Sequence, residues 1–493
     1  MGPPCLSLFG YRAIEAMDGE APMSDTPAAL ADLLRLAEWG PRQLVNAINA
    51  RLSSQGRERL RLDPTAGYSW VRRGFRPRPP IPDVAAAVLT DRLGFTVTVE
   101  QLWPSHGPAQ SRRSAATGLD SVSHLDDLVR ELSQLATTST TPRSPIEEAS
   151  GADLTAAVLD QLRGAVLVAR NRAGHEHVLA EQVDLIEAHV AGLRRLDDRH
   201  GGGALSLRYV TAELRNVMDL VEYANYNLAT GRRLLAIVAD LAQLLGWLHF
   251  DSSRYGSAER YLLLSIGVCR ALDARDRAAN AIGMLSYVSA FAGHGSQAVR
   301  LAEAAAAECR TADPVLRARL LGREATAAAA DGDLARFRRC ADQAAELLDR
   351  SRAQDGPSFL YYLNPMQLAA EAGQGLVVLA EQTTASRNRL LSEGIGLLTE
   401  SVADMTSPLE AAGPAYARSG LLHTTFLAQA HLRRGDLSEA VGALRIGIGL
   451  LPLVQSPRGR NYLRQLRPAL ARRSRSPVVA EFLPQFDGAL STA

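Results

Sequence analysis

The stretch that decides the fold is Leu60-Arg61-Leu62-Asp63-Pro64-Thr65-Ala66-Gly67-Tyr68-Ser69-Trp70-Val71-Arg72-Arg73-Gly74, followed by Arg76-Pro77-Arg78-Pro79-Pro80. Asp63-Pro64-Thr65 carries the residue types that open helices, and Gly74 the type that closes them, so a short helix runs to Arg73. The proline run behind it is extended, because each proline disfavours helix in the residue before it. Upstream, Gly40-Pro41 starts a helix whose apolar stripe is Leu44, Val45, Ile48 and Leu52. An earlier helix opens at Thr26-Pro27 with Leu30, Leu33, Leu34 and Ala37 in phase. Downstream, Asp83 to Leu93 and Thr98 to Trp103 give two more. Five short helices therefore occupy residues 26–104.

This region is also the basic end of the chain. Between Pro41 and Pro80 stand nine arginines (42, 51, 57, 59, 61, 72, 73, 76 and 78) against Glu58 and Asp63, whereas the whole 493-residue chain carries a formal charge of only +1. Such a concentration is the footprint of a phosphate-binding surface. Thr65, Tyr68, Ser69, Arg72 and Arg73 on the third helix, with Arg76 and Arg78 after it, are the candidate nucleic-acid contacts. Trp70 and Val71 are read as packing inward.

Composition bounds the rest. Apolar content of 46% and charged content of 22% belong to a globular chain, and its length calls for two or more domains. All 54 basic residues are arginine. Cys5, Cys269, Cys309 and Cys340 are widely spaced and form no C-x-x-C, which reads as reduced thiols in a cytoplasmic protein. No run reads as a membrane span, and residues 1–25, with Met23 as an alternative start, lack a signal-peptide pattern and read as a disordered extension. No Ser/His/Asp set lies in a nucleophile-elbow context, Gly201-Gly202-Gly203 lacks the Lys of a phosphate loop, and His175 and His177 do not share a helix face. The triple glycine reads as a helix–helix turn, and the adjacent Asp197 and Asp198 as solvated surface. The chain is therefore expected not to be an enzyme and to need no cofactor or metal.

Residues 105–152 are rich in Ser, Thr, Pro and Gly and read as a linker, with one amphipathic piece from Val122 to Leu135 as a transient helix. From residue 153 to 490, helical periodicity is nearly unbroken. Small residues recur at fixed offsets: Leu245-Gly246 to Ala258, Leu285-Ser286 to Ala298, Leu321-Gly322 with Gly332-Asp333-Leu334-Ala335, and Leu427-Ala428 with His431, Ala440 and Pro452. This is the spacing of tetratricopeptide repeats, where small residues let paired helices approach. Helices at 153–172, 175–198 and 206–228 read as an N-terminal cap, and 457–490 as a fraying C-terminal one. The groove-facing positions of the first helices are Gln243, Trp247, Asn280, Gly283, Tyr287, Arg319, Arg323 and Gln429. Of these, Gln243, Trp247, Asn280, Tyr287 and Arg323 are the candidate effector- or partner-binding residues, suited to an extended peptide.

The order of parts in 26–104 resembles the Xre-type helix-turn-helix domain, departing from it in a longer loop before the third helix and in Trp70 standing one position early. With the repeats, the chain resembles the actinobacterial regulators that repress sporulation and antibiotic production, the NsdA-like proteins. The run from Leu60 to Gly74 and the phrase Arg194-Arg195-Leu196-Asp197-Asp198-Arg199-His200-Gly201-Gly202-Gly203 carry that likeness. The expectation is an all-α protein: a helix-turn-helix domain joined by a flexible linker to a tetratricopeptide-like α-solenoid. The resemblance implies a cytoplasmic repressor that binds duplex DNA as a homodimer and takes a peptide or protein effector in its repeat groove. The alternative is an interaction scaffold whose helix-turn-helix domain does not bind DNA.

Overall fold

A computed structural model of the chain describes residues 39–73, 76–78, 80–93, 97, 99–103, 125–138, 151–163, 176–309, 313–351, 356–384, 386–407 and 416–492, with Leu30, Leu34 and Ala37. The 1–25 extension, most of the first helix and most of the 105–152 linker lie outside the described residues. Regular structure among those described is helical throughout; the one β-type pairing is an isolated bridge between His177 and Asn225. The chain divides into two compact units, one within residues 14–116 and one within 117–493.

In the first unit, α1 (Pro41–Ser54) starts where Gly40-Pro41 places it, and the Gln43 side chain caps the Gly40 amide. Leu44, Val45, Ile48 and Leu52 are all buried. α2 (Ala66–Arg73) begins after Asp63, whose carboxylate accepts from the Thr65 amide at 2.7 Å. The two helices approach very closely: a Cβ at Gly67 would lie 2.5 Å from the Pro41 carbonyl oxygen. α3 (Ile81–Leu93) starts two residues before the expected Asp83, since proline is tolerated in a first turn. α4 (Val99–Leu102) closes the unit, and Trp103 meets Trp70 edge-on at 5.8 Å. Trp70 is 3% exposed, as its inward reading requires.

The second unit opens with α5 (Leu125–Thr138), and here the linker reading needs correction. Leu128, Leu132 and Ala136 are buried in the same apolar cluster as Tyr261, Val268 and Cys269, so this helix is part of the core rather than a transient element. Its amphipathic stripe was visible; its partner, a helix more than a hundred residues on, was not. Next come α6 (Gly151–Arg163), α7 (Ala180–His200) and α8 (Ala204–Tyr223).

Five helical hairpins follow: α9 (Leu228–Asp251) with α10 (Tyr255–Ala271), α11 (Arg275–Phe291) with α12 (Gly295–Glu308), α13 (Pro314–Asp331) with α14 (Leu334–Asp349), α15 (Pro365–Gln382) with α16 (Arg387–Thr406), and α17 (Ala417–Arg434) with α18 (Leu437–Leu450). The small residues sit at the contacts. A Cβ on Gly246 would fall 2.7 Å from Leu262, the Ser286 hydroxyl donates to the Ala298 carbonyl at 2.7 Å, and Gly373 and Gly394 lie against each other's backbones. α11 packs on α13, α13 on α15 and α15 on α17, so first helices stack on first helices. α9 is apolar and long enough to cross a membrane by composition, against the expectation that no run is, but most of its apolar window is buried as a core helix.

The last two helices, α19 (Pro457–Ala471) and α20 (Pro477–Thr492), are not a frayed end. Phe482 and Phe486 are fully buried, and so are Leu463 and Leu470. The row of hairpins also turns back on its start: α17 packs on α7 and α19 on α9. The Gln455 amide donates to the His200 carbonyl at 2.6 Å, and His200 Nδ1 lies 2.9 Å from the Leu453 carbonyl. Gly201-Gly202-Gly203 is the helix–helix turn it was read as, set into this seam. The Gly202 amide donates to Asp251, and any side chain at Gly203 would collide with Gln455.

Candidate functional site

The seam closes the inner face of the hairpins into a cleft. Gln243, Trp247, Asn280, Tyr287 and Arg323 all line it, drawn from α9, α11 and α13. The cleft holds a cavity of about 90 Å³. The Trp247 and Tyr287 rings stand 5.9 Å apart, the adjacency their shared repeat position predicts. They are not exposed, however: Tyr287 is 6% exposed and Trp247 is partly covered, because the two ends of the second unit's helix row meet across the face. Arg319 lies behind the wall, and Gln429 points elsewhere, donating to Glu381 at 2.6 Å.

Three guanidiniums surround Trp247, those of Arg323, Arg418 and Arg458, with ring distances of 5.8, 5.3 and 5.4 Å. Each arginine is at most 5% exposed. Buried charge at this density demands counter-ions. Arg418 donates to Asp198 at 2.9 Å and lies 3.5 Å from Asp197; Arg458 lies 3.4 Å from Asp251. Tyr361 donates to Asp198 as well. The reading of Asp197 as solvated surface is therefore corrected: it is 3% exposed, because α17 covers the end of α7. Burial, aided by Asp198 and Asp251, pushes its carboxyl up to about 7 against the pull of Arg418. His249 and His423, also buried, are pushed down to about 4 and stay neutral.

Glu371 on α15 anchors the opposite wall. Arg319 Nη1 donates to it at 3.1 Å, Arg319 Nη2 donates to its second oxygen, and Gln367 adds a third bond at 3.0 Å. Burial opposes the carboxylate, but Arg319 and Arg323 outweigh it and hold Glu371 down at about 2. Arg418, Arg458 and Glu371 escaped sequence reading, and Asp197 was assigned to the surface. Arg458 and Glu371 come from helices without a clean repeat match and Arg418 stands in the first turn of α17, ahead of its matched positions, so only folding brings them to Trp247.

The other candidate surface is on the first unit. Thr65 and Tyr68 are exposed, as are Arg42, Arg57, Arg59, Arg61, Arg76 and Arg78, and Arg51 pairs with Asp91 at 2.5 Å. The side chains of Ser69, Arg72 and Arg73 lie outside the described residues. Thr65 is partly committed, since its hydroxyl donates to Asp63 at 2.5 Å. The exposed arginines thus lie on the same unit as α2, with Trp70 turned into its core.

Among the described residues no group of three or more His, Cys, Asp or Glu is placed to hold a metal ion. Cys269 and Cys340 are free thiols that burial pushes up to about 12. A family model, the SP15 N-terminal domain, matches residues 30–102, the span of the first unit's core. No curated protein matches the chain.

Proposed function

We propose that the chain is a DNA-binding transcriptional regulator, of the kind its sequence resembles, whose repeat-like unit takes an effector in the Trp247 cleft. The observation that carries the DNA reading is the set of exposed arginines around α2, on a unit whose apolar residues are turned inward. In this reading α2 presents Thr65, Tyr68, Ser69, Arg72 and Arg73 to a groove of the duplex, and Arg76 and Arg78 hold phosphates along the extended exit. The protein acts in the cytoplasm, as a homodimer on paired half-sites, and represses.

A second reading, an interaction scaffold that reads no DNA, is favoured by one contact: Thr65 already spends its hydroxyl proton on Asp63. Fluorescence anisotropy on random duplexes at low salt, with the full chain and with residues 1–104, separates the two. Binding by both supports the regulator, and binding by neither supports the scaffold.

A further inference from the structure

Of the arginines on the cleft wall, Arg323 has the longest approach to a carboxylate. Arg194 lies 3.2 Å from Asp240, which Arg277 also holds, Arg418 lies 2.9 Å from Asp198, and Arg458 lies 3.4 Å from Asp251. Arg323 shares Glu371 with Arg319, and Arg319 already holds both carboxylate oxygens. Arg323 Nη1 comes only to 3.9 Å from Glu371 and has no hydrogen-bond partner, although the side chain is buried. Two guanidiniums against one carboxylate leave one positive charge at this wall. Arginine does not resolve the excess by losing its proton. Its guanidinium instead lies over the Tyr287 ring at 4.1 Å, with Trp247 beyond it.

We propose that the cleft takes a single carboxylate carried on an apolar body, the carboxylate accepting from Arg323 and the body lying against Trp247, Tyr287 and Phe359. One negative charge balances the surplus on Arg323, and the aromatic wall suits an acid with an apolar body rather than an inorganic anion. A charge-assisted bond to Arg323 Nη1 satisfies a donor otherwise costly to bury. The carboxylate belongs either to a small organic acid or to the C terminus of a peptide. The inference rests on the reading of the cleft as an effector site, and its test involves no DNA.

The test is thermal shift and calorimetry on the full chain with four probes: benzoate, benzamide, a hydrophobic tripeptide with a free C terminus, and the same peptide amidated. Benzoate or the free peptide should bind at least about tenfold more tightly than its amide, at concentrations up to about 10 mM. Arg323→Gln should erase that preference and Arg323→Lys retain part of it. A preference for benzoate identifies a small acid as the ligand; a stronger preference for the free peptide identifies a chain terminus. Equal binding of acid and amide overturns the proposal while leaving an effector site standing, and binding of none of the four overturns both. A preference that survives Arg323→Gln overturns the assignment to this residue. If that variant does not fold, the acid–amide comparison on the unmodified chain still decides.

Discussion

The backbone amide of Gln455 donates to the carbonyl of His200 at 2.6 Å, tying the segment after α18 to the end of α7. This bond makes the inner face of the hairpins a cleft rather than an open groove. Gly203 stands beside it with no room for a Cβ, because Gln455 occupies the space. Gly203→Val should therefore pry the seam open, at a cost of ~1–3 kcal/mol typical of overpacking. Hydrogen exchange of the 200–203 and 453–456 amides checks this; protection unchanged from the unmodified chain would contradict it.

Glu371→Gln should be among the costliest single substitutions in the chain. It leaves Arg319 and Arg323 buried without a counter-charge, which costs ~3–5 kcal/mol in comparable buried pairs. Denaturant unfolding of the second unit measures it, and a loss under about 1 kcal/mol would show that the wall is wetter than its burial implies.

Asp197 gives the cleft a pH dependence whose sign is fixed. Its carboxyl, held near 7 in the folded chain, keeps a proton that the unfolded chain releases near 4. The stabilisation from that proton is complete below about 4 and is lost as pH rises through about 7. Glu371 works oppositely, losing its contribution only as pH falls through about 2, outside that window. His249 and His423, pushed down to about 4, add stability as pH rises in the same range, so the test is a difference: the unfolding free energy of Asp197→Asn relative to the unmodified chain should rise between about pH 5 and 7. Parallel profiles would remove Asp197 as the source.

Leu128→Ala should destabilise the second unit by ~2–5 kcal/mol, because the side chain is 1% exposed. A fragment starting at residue 120 should accordingly be the more stable, and one starting at 153 the less, by several kcal/mol. Equal melting of the two fragments would return α5 to the linker.

Much of the fold was legible because it is local. Gly40-Pro41 and Asp63 to Thr65 announce helix starts through chemistry that needs no partner, and the Leu44–Leu52 stripe declares which face is buried. The repeat positions brought Trp247, Tyr287, Asn280, Gln243 and Arg323 to one wall, since offset along stacked helices fixes adjacency. What was not legible depends on closure. Asp197 looks like any charged residue near a helix end until α17 arrives over it. Arg458 and Glu371 belong to no clean repeat, and the stripe of α5 gives no sign of which distant helix it covers.

The central claim is that the arginines around α2 hold duplex DNA. The most direct measurement is the salt dependence of binding by the full chain and by an Arg72, Arg73, Arg76 and Arg78 to Ala variant that keeps its fold. If these residues hold phosphates, the slope of log affinity against log salt should fall by about 0.9 for each contact removed. If one of them reads a guanine, discrimination at that base pair should relax by ~1–3 kcal/mol. An unchanged affinity and slope in the folded variant, or no binding by the unmodified chain at low salt, would contradict the account.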